Sequence, residues 1–189
     1  YPSKPRDTAQ ITLPDARTFD GPIGTTVGAF LDVAFPQPKV PIIAALVDGK
    51  LRELTYPIVR DAIVEPIDLS QSDGERIYRR SLTFLMVAAT HRIFPEAQIY
   101  VDHSLPFGGY FCEVSDRAPL TDDELARLDA EMRRLVEADL PIHRENNVPL
   151  DAALDVFRQH GQSDKATLFE ERDRRSKASV RLYNLDGYR

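Results

Sequence analysis

Four histidines, a single cysteine and a scatter of arginines are the side chains here that could do acid–base, nucleophilic or anion-binding chemistry. His91, His103, His143 and His160 lack a ligand spacing of the His-Glu-x-x-His kind, which sets two imidazoles on one helix face. Asp102-His103-Ser104 holds the three residue types of a hydrolase triad. Contiguous residues, however, cannot converge with the hydrogen bonds a triad requires. His103 is read either as a surface-loop residue or as part of a pocket lining beside the turn Pro106-Phe107-Gly108-Gly109. Cys112 sits in Tyr110-Phe111-Cys112-Glu113-Val114 and reads as a small packed residue, since a reactive thiol needs electropositive surroundings. Gly108-Gly109 is not a phosphate loop, and no Gly-x-x-x-x-Gly-Lys-Ser/Thr occurs in the chain. Arg80 lies on a helix face that is otherwise apolar, so it must find a partner or solvent. It either holds a phosphate or carboxylate, or extends to water.

These residues are carried by alternating short strands and helices. Gln10-Ile11-Thr12-Leu13 alternates as a half-buried strand does, and Pro14-Asp15-Ala16-Arg17 is a hairpin turn. Thr25 and Thr26 are N-cap candidates for a helix from Val27 to about Ala34, closed by Pro36 and Pro38. Ile42 to Val47 is a buried strand, Asp48-Gly49 a hairpin signal, and 61–67 a last strand. The order hairpin, helix, strand pair, last strand is a ubiquitin-like β-grasp arrangement. After the polar stretch Ser70-Gln71-Ser72-Asp73-Gly74 a second unit begins. Its first helix is predicted over about Glu75 to Ile93, followed by a strand pair around Ile99-Tyr100-Val101 and Tyr110–Val114. Thr121-Asp122-Asp123-Glu124 matches a capping box, and Leu125, Leu128, Met132, Leu135 and Val136 stripe the helix it starts. A strand over Pro141–Glu145, a helix from Asp151 to the stop at Gly161, and a strand over Ala178–Leu185 complete a two-layer α+β unit. The expected domains are 8–69 and 70–189, the second truncated at its C-terminus.

The formal net charge of −6 argues against a broad, sequence-blind grip on nucleic acid, which needs many cations on phosphates, but allows a local basic patch. The mixed-charge run Glu170–Lys177 is a solvated turn or helix end. One cysteine excludes an internal disulfide and a multi-cysteine zinc site, which points to a reducing, cytoplasmic compartment. No apolar run is long enough to span a membrane, and the N-terminal segment has no signal-peptide core. With Tyr at its start the chain reads as cut from something longer.

Ile11-Thr12-Leu13-Pro14-Asp15, Gly24-Thr25-Thr26 and Ala44 to Leu54 together resemble a TGS domain, with Ala16 where the customary turn glycine stands. Arg79-Arg80-Ser81, Phe84-Leu85, Phe94-Pro95, Gly109-Tyr110-Phe111-Cys112 and Gly161-Gln162-Ser163-Asp164-Lys165 resemble the second additional domain of threonyl- and alanyl-tRNA synthetases. In the synthetases that domain removes a wrongly attached amino acid from tRNA. The resemblance implies a His-x-x-x-His pair on the first helix, but those positions are Arg80 and Phe84. Neither side chain can act as a neutral base near pH 7. A further Cys-x-x-x-His half of the family's centre would lie past Arg189. Lys165 falls on a substrate-contacting lysine of the family and is otherwise a surface cation; Cys112 falls where the family has tyrosine.

The resemblance is also to proteins that join these two domains to a P-loop kinase of the uridine-kinase or phosphoribulokinase kind. On it rests the expectation of a non-catalytic, ligand-binding or regulatory module, not itself an enzyme. Its pocket would be drawn from Arg80, Phe84, His103, Gly109, Tyr110, Cys112 and Lys165, with no metal. ATP and Mg would serve the downstream kinase domain, which would be its partner, along with RNA or a small nucleotide-like ligand. Two alternatives stand beside it: a tRNA-editing hydrolase module of a threonyl-tRNA synthetase-like protein, and a protein-interaction domain.

Overall fold

The computed structural model describes residues 6–105, 108–115, 117–162, 166–167, 169–170 and 179–189. It is a mixed α+β chain in two compact units, Tyr1–Ser81 and Leu82–Arg189.

The first unit is the β-grasp expected from sequence. Strands β1 (Thr8–Thr12), β2 (Thr18–Pro22), β3 (Ile42–Val47), β4 (Lys50–Glu53) and β5 (Ala62–Asp68) form one sheet in the order β2-β1-β5-β3-β4. The central pair β1–β5 is parallel, with Ile11 opposite Ala62, and the other pairs are antiparallel. Helix α1 (Val27–Ala34) covers the sheet. Its buried residues Val27, Phe30, Leu31 and Ala34 recur at i, i+3, i+4 and i+7, the apolar stripe of a helix on a sheet. Thr26 caps it by accepting a hydrogen bond from the Ala29 amide. These side chains meet Ala9, Ile11, Leu13, Ala45, Val47, Ile58 and Val64 in one core.

Two turns show how local chemistry sets the register. At the β3–β4 hairpin, Asp48 (φ 49°) and Gly49 (φ 73°) are both left-handed, as a type I′ turn demands. At the first hairpin Ala16 is left-handed (φ 66°), at the position where a glycine is customary. There the Leu13 amide donates to the Arg17 carbonyl at 2.9 Å, and the Asp15 carboxylate accepts from the Arg17 amide and Nε. The same arginine donates to the carbonyl of Ala34, the last residue of α1, so the turn and the helix end share one cation.

Helix α2 (Ser72–Ile93) begins three residues earlier than the sequence suggested and crosses the division between the units. Gly74 is the reason it can start there. A Cβ on Gly74 would lie 1.9 Å from the Asp68 carbonyl oxygen, so only glycine lets the first turn close over the end of β5.

The second unit adds β6 (Gln98–Ser104), β7 (Tyr110–Ser115), α3 (Asp122–Glu137), β8 (His143–Pro149), α4 (Leu150–Gln159) and β9 (Ser179–Asn184). Its strands form two separate two-stranded antiparallel sheets, the β6–β7 hairpin and β8–β9, the latter pair joined through α4. Thr121 and Glu124 make the full capping box on α3, each side chain bonding the other's backbone amide. Leu85, Ala88 and Ala89 of α2 pack with Leu128 and Leu135 of α3 and with Leu185 and Tyr188. Helix α4 packs Leu150, Ala153, Leu154 and Phe157 against Leu182 and Val180 of β9. Among the described residues no helix is long and apolar enough to cross a membrane.

Candidate functional site

The structure places the described residues singled out from sequence on α2 and on the β6–β7 hairpin. Arg80 is exposed on α2 and forms no hydrogen bond or ion pair among the described residues. Its neighbour Arg79 is paired with Glu75. Phe84, one turn further along α2, is half-buried, its ring centroid 5.8 Å from that of Tyr188.

His103, Tyr110 and Cys112 lie on the β6–β7 hairpin, with Gly109 in its turn. His103 is in strand β6, not in a loop, because its strand runs on past Val101 to Ser104. Its Nδ1 is 2.9 Å from the Asp102 carboxylate, and its ring stacks on Phe111 at 5.4 Å between centroids. The carbonyl of Gly109 accepts from the Leu105 amide. Cys112 is half-buried, and burial pushes its thiol pKa up, away from the thiolate a nucleophile needs. The hairpin turns Tyr100, Tyr110 and Phe111 outward, each about two-fifths exposed. No hydrogen bond, ion pair or ring contact among the described residues joins the hairpin residues to Phe84. Lys165 lies outside the described residues.

What sequence reading missed is a compact group of rings around Tyr188. The centroids of His91 and His160 are 4.7 Å apart and edge-to-face; Tyr188 is 5.2 Å from the first and 4.7 Å from the second. Each member is placed by a separate local device. His91 lies on α2 seven residues after Phe84, so two helical turns put both on the face that meets Tyr188. His160 is the C-cap of α4. Gly161 (φ 67°) follows it in a Schellman motif, with the Gly161 amide on the Arg158 carbonyl and the Gln162 amide on the Phe157 carbonyl. That reversal also brings Gln162 to donate to the Tyr188 hydroxyl at 3.3 Å. Tyr188 itself closes a tight turn: Leu185 and Tyr188 exchange backbone hydrogen bonds across Asp186 (φ 49°) and Gly187 (φ 88°). Arg92 pairs with Asp186 and holds that turn to α2.

The electrostatics of His160 and Tyr188 favour their neutral forms. His160 Nδ1 is buried without a hydrogen-bond partner among the described residues. Burial, and then the neighbouring His91, push the His160 pKa down, so the imidazole stays neutral. Tyr188 is 8% exposed, and its burial pushes the phenol pKa up against the opposing Gln162 hydrogen bond. The separate histidines gave no sequence signal, since their partners lie 69 and 97 positions from His91 along the chain, at His160 and Tyr188. Among the described residues no group of three or more His, Cys, Asp or Glu could hold a metal.

No family model matches the chain. Curated relatives do. The chain is 30% identical over 161 residues to the threonine–tRNA ligase of Symbiobacterium thermophilum, covering 85% of this chain and 24% of that protein. It is 33% identical over 163 residues to that of Halorhodospira halophila, covering 85% and 25%. With the ligase of Desulforamulus reducens it shares 26% over 162 residues, covering 86% and 25%. The chain thus spans about a quarter of the length of these relatives. These are ligases, hence enzymes, and they overturn two expectations: the uridine-kinase-like parent with its non-catalytic module, and the placing of the chain outside enzymes. The physical reason is one of scale. The kinase reading leaned on the lost histidine pair at Arg80 and Phe84 and on two short stretches, Asp48–Leu54 and Tyr78–Leu82, whereas the similarity to threonine–tRNA ligases runs through both units.

Proposed function

We propose that this chain is the front module of a threonyl-tRNA synthetase-like protein, and that its second unit receives the aminoacylated end of tRNA. The similarity to threonine–tRNA ligases over about 85% of the chain carries the reading. The geometry supports it at the β6–β7 hairpin. Tyr100, Tyr110 and Phe111 are exposed rings on a two-stranded scaffold, and unpaired bases stack on such rings without needing many cations. That suits a chain of net charge −6, whose contact with nucleic acid must be local. The ester-cleaving chemistry of the resembling domain calls for a neutral base. Its paired-histidine positions hold Arg80 and Phe84, and in this unit burial lowers the pKa of His160 and favours its neutral imidazole.

The test is binding of aminoacylated and uncharged threonine tRNA to the 189-residue chain at fixed salt, with release of the amino acid from mischarged threonine tRNA followed in the same samples. The charged form should bind more tightly, and Tyr110→Ala or Phe111→Ala should weaken it by about 1–3 kcal/mol, one base stack. Equal binding of both tRNA forms, unchanged by either substitution, would overturn the proposal.

A further inference from the structure

The edge of the first unit carries an arrangement that the tRNA reading does not use. Strand β4 is an edge strand of the sheet, and its cations Lys50 and Arg52 stand opposite core residues. Lys50 stands opposite Val47 and Arg52 opposite Ala45, both residues of the core, while Leu51 between them is 43% exposed. An apolar residue facing water and two cations on the core side is the reverse of what burial alone selects. Protection of an edge strand accounts for one inward charge. It does not account for what surrounds these two.

Lys50, Arg52 and Arg60 line a cavity of about 180 Å³, together with Tyr56, Asp48 and Val59. Arg52 is half-buried, its guanidinium carbon 4.8 Å from the centre of the Tyr56 ring, and its Nε is buried with no acceptor among the described residues. Neither Lys50 nor Arg52 forms an ion pair among the described residues. Among the described residues Asp48 is the one carboxylate in the lining, and it is already engaged by Arg60 Nη2 at 2.8 Å and by the Ile63 amide at 3.0 Å. Three cations against one committed anion leave the cavity positive on a chain that is negative overall. The ring beneath Arg52 holds its planar fork in place, so little freedom is lost when an anion binds.

We infer that this cavity binds a phosphoryl group, held by Lys50, Arg52 and Arg60. A cavity of about 180 Å³ falls below the range of about 300–1,000 Å³ that takes a whole drug-sized ligand, so the phosphoryl group itself is the recognised part. The inference is independent of the function proposed for the second unit.

Inorganic phosphate titrated into the whole chain at constant ionic strength, followed by calorimetry and by the arginine Nε–H resonances, should give saturable millimolar binding. The Arg52 signal should shift with occupancy. Lys50→Gln, at an exposed position, should weaken binding about tenfold, the loss of one charge-assisted hydrogen bond. Asp48→Asn should tighten binding severalfold, since it removes the opposing charge while an amide oxygen still accepts from Ile63. Competition separates the two sources of a phosphoryl group. Displacement of phosphate by an RNA hairpin assigns the site to a backbone phosphodiester, and displacement by a nucleoside monophosphate alone assigns it to a free monoester. Absence of saturable binding at millimolar phosphate, or binding that Lys50→Gln and Asp48→Asn both leave unchanged, overturns the inference.

Discussion

Replacing Tyr188 is the sharpest test of the ring cluster. The side chain is 8% exposed, packs with the α2–α3 core and faces the rings of Phe84, His91 and His160. A buried aromatic of this kind covers about 150–250 Å². At about 25 cal/mol per Å² this is about 4–6 kcal/mol, an upper bound because unfolded chains bury part of the same surface. Half-buried His91 and His160 can also close in where it stood. Tyr188→Ala should therefore cost about 3 kcal/mol, the low end for such truncations. Tyr188→Phe keeps the ring and removes only the hydroxyl that accepts from Gln162 at 3.3 Å, a neutral bond worth about 0.5–1 kcal/mol. Urea unfolding followed by far-ultraviolet circular dichroism measures both. In a thermal melt the alanine variant should lose about 10 °C or more and the phenylalanine variant only a few degrees. Equal losses in the two variants would refute the reasoning, because the ring would then contribute nothing beyond its hydroxyl.

Three further outcomes are expected. His160 has its pKa lowered by burial and by His91, so the unfolded chain takes up the proton first as pH falls. Stability should be full above the unfolded-state pKa of about 6.5, decline as pH drops through that value toward the folded-state pKa, and show a shallower decline in His160→Gln, read as midpoint denaturant against pH. Ala16→Gly should stabilise the first unit by about 0.5–1 kcal/mol, relief of a left-handed alanine less the added freedom of the unfolded chain, measured as a shift in urea midpoint. Thr121→Ala should cost about 1 kcal/mol through loss of the Glu124 amide bond and the capping box, seen in the same assay.

The first unit was legible because its signals are local. Asp48-Gly49 specifies its own turn, and Val27, Phe30, Leu31 and Ala34 specify their own face. Element ends were less so: β8 runs from His143 to Pro149, past the expected Glu145, because a strand gains from pairing with β9 that its own residues do not announce. The ring cluster was invisible for a related reason. The glycine stop at Gly161 was readable, yet nothing near it says that the reversal delivers His160 and Gln162 to Tyr188, which reaches them through long-range packing. Arg80 and Phe84 were correctly placed on α2, but the sequence could not tell that one faces water while the other packs on a tyrosine.

The parallel pairing of Ile11 with Ala62 also governs how the first unit is born. Its central ladder joins the earliest strand to the latest, so the closing contact spans nearly the whole module and carries the full loop-closure entropy before any reward arrives. On a ribosome, the β1–β2 hairpin must wait for Asp68 to emerge before the sheet can be completed. Any nascent piece ending before β5 should remain sensitive to protease, and resistance should appear in a single step once that strand is free.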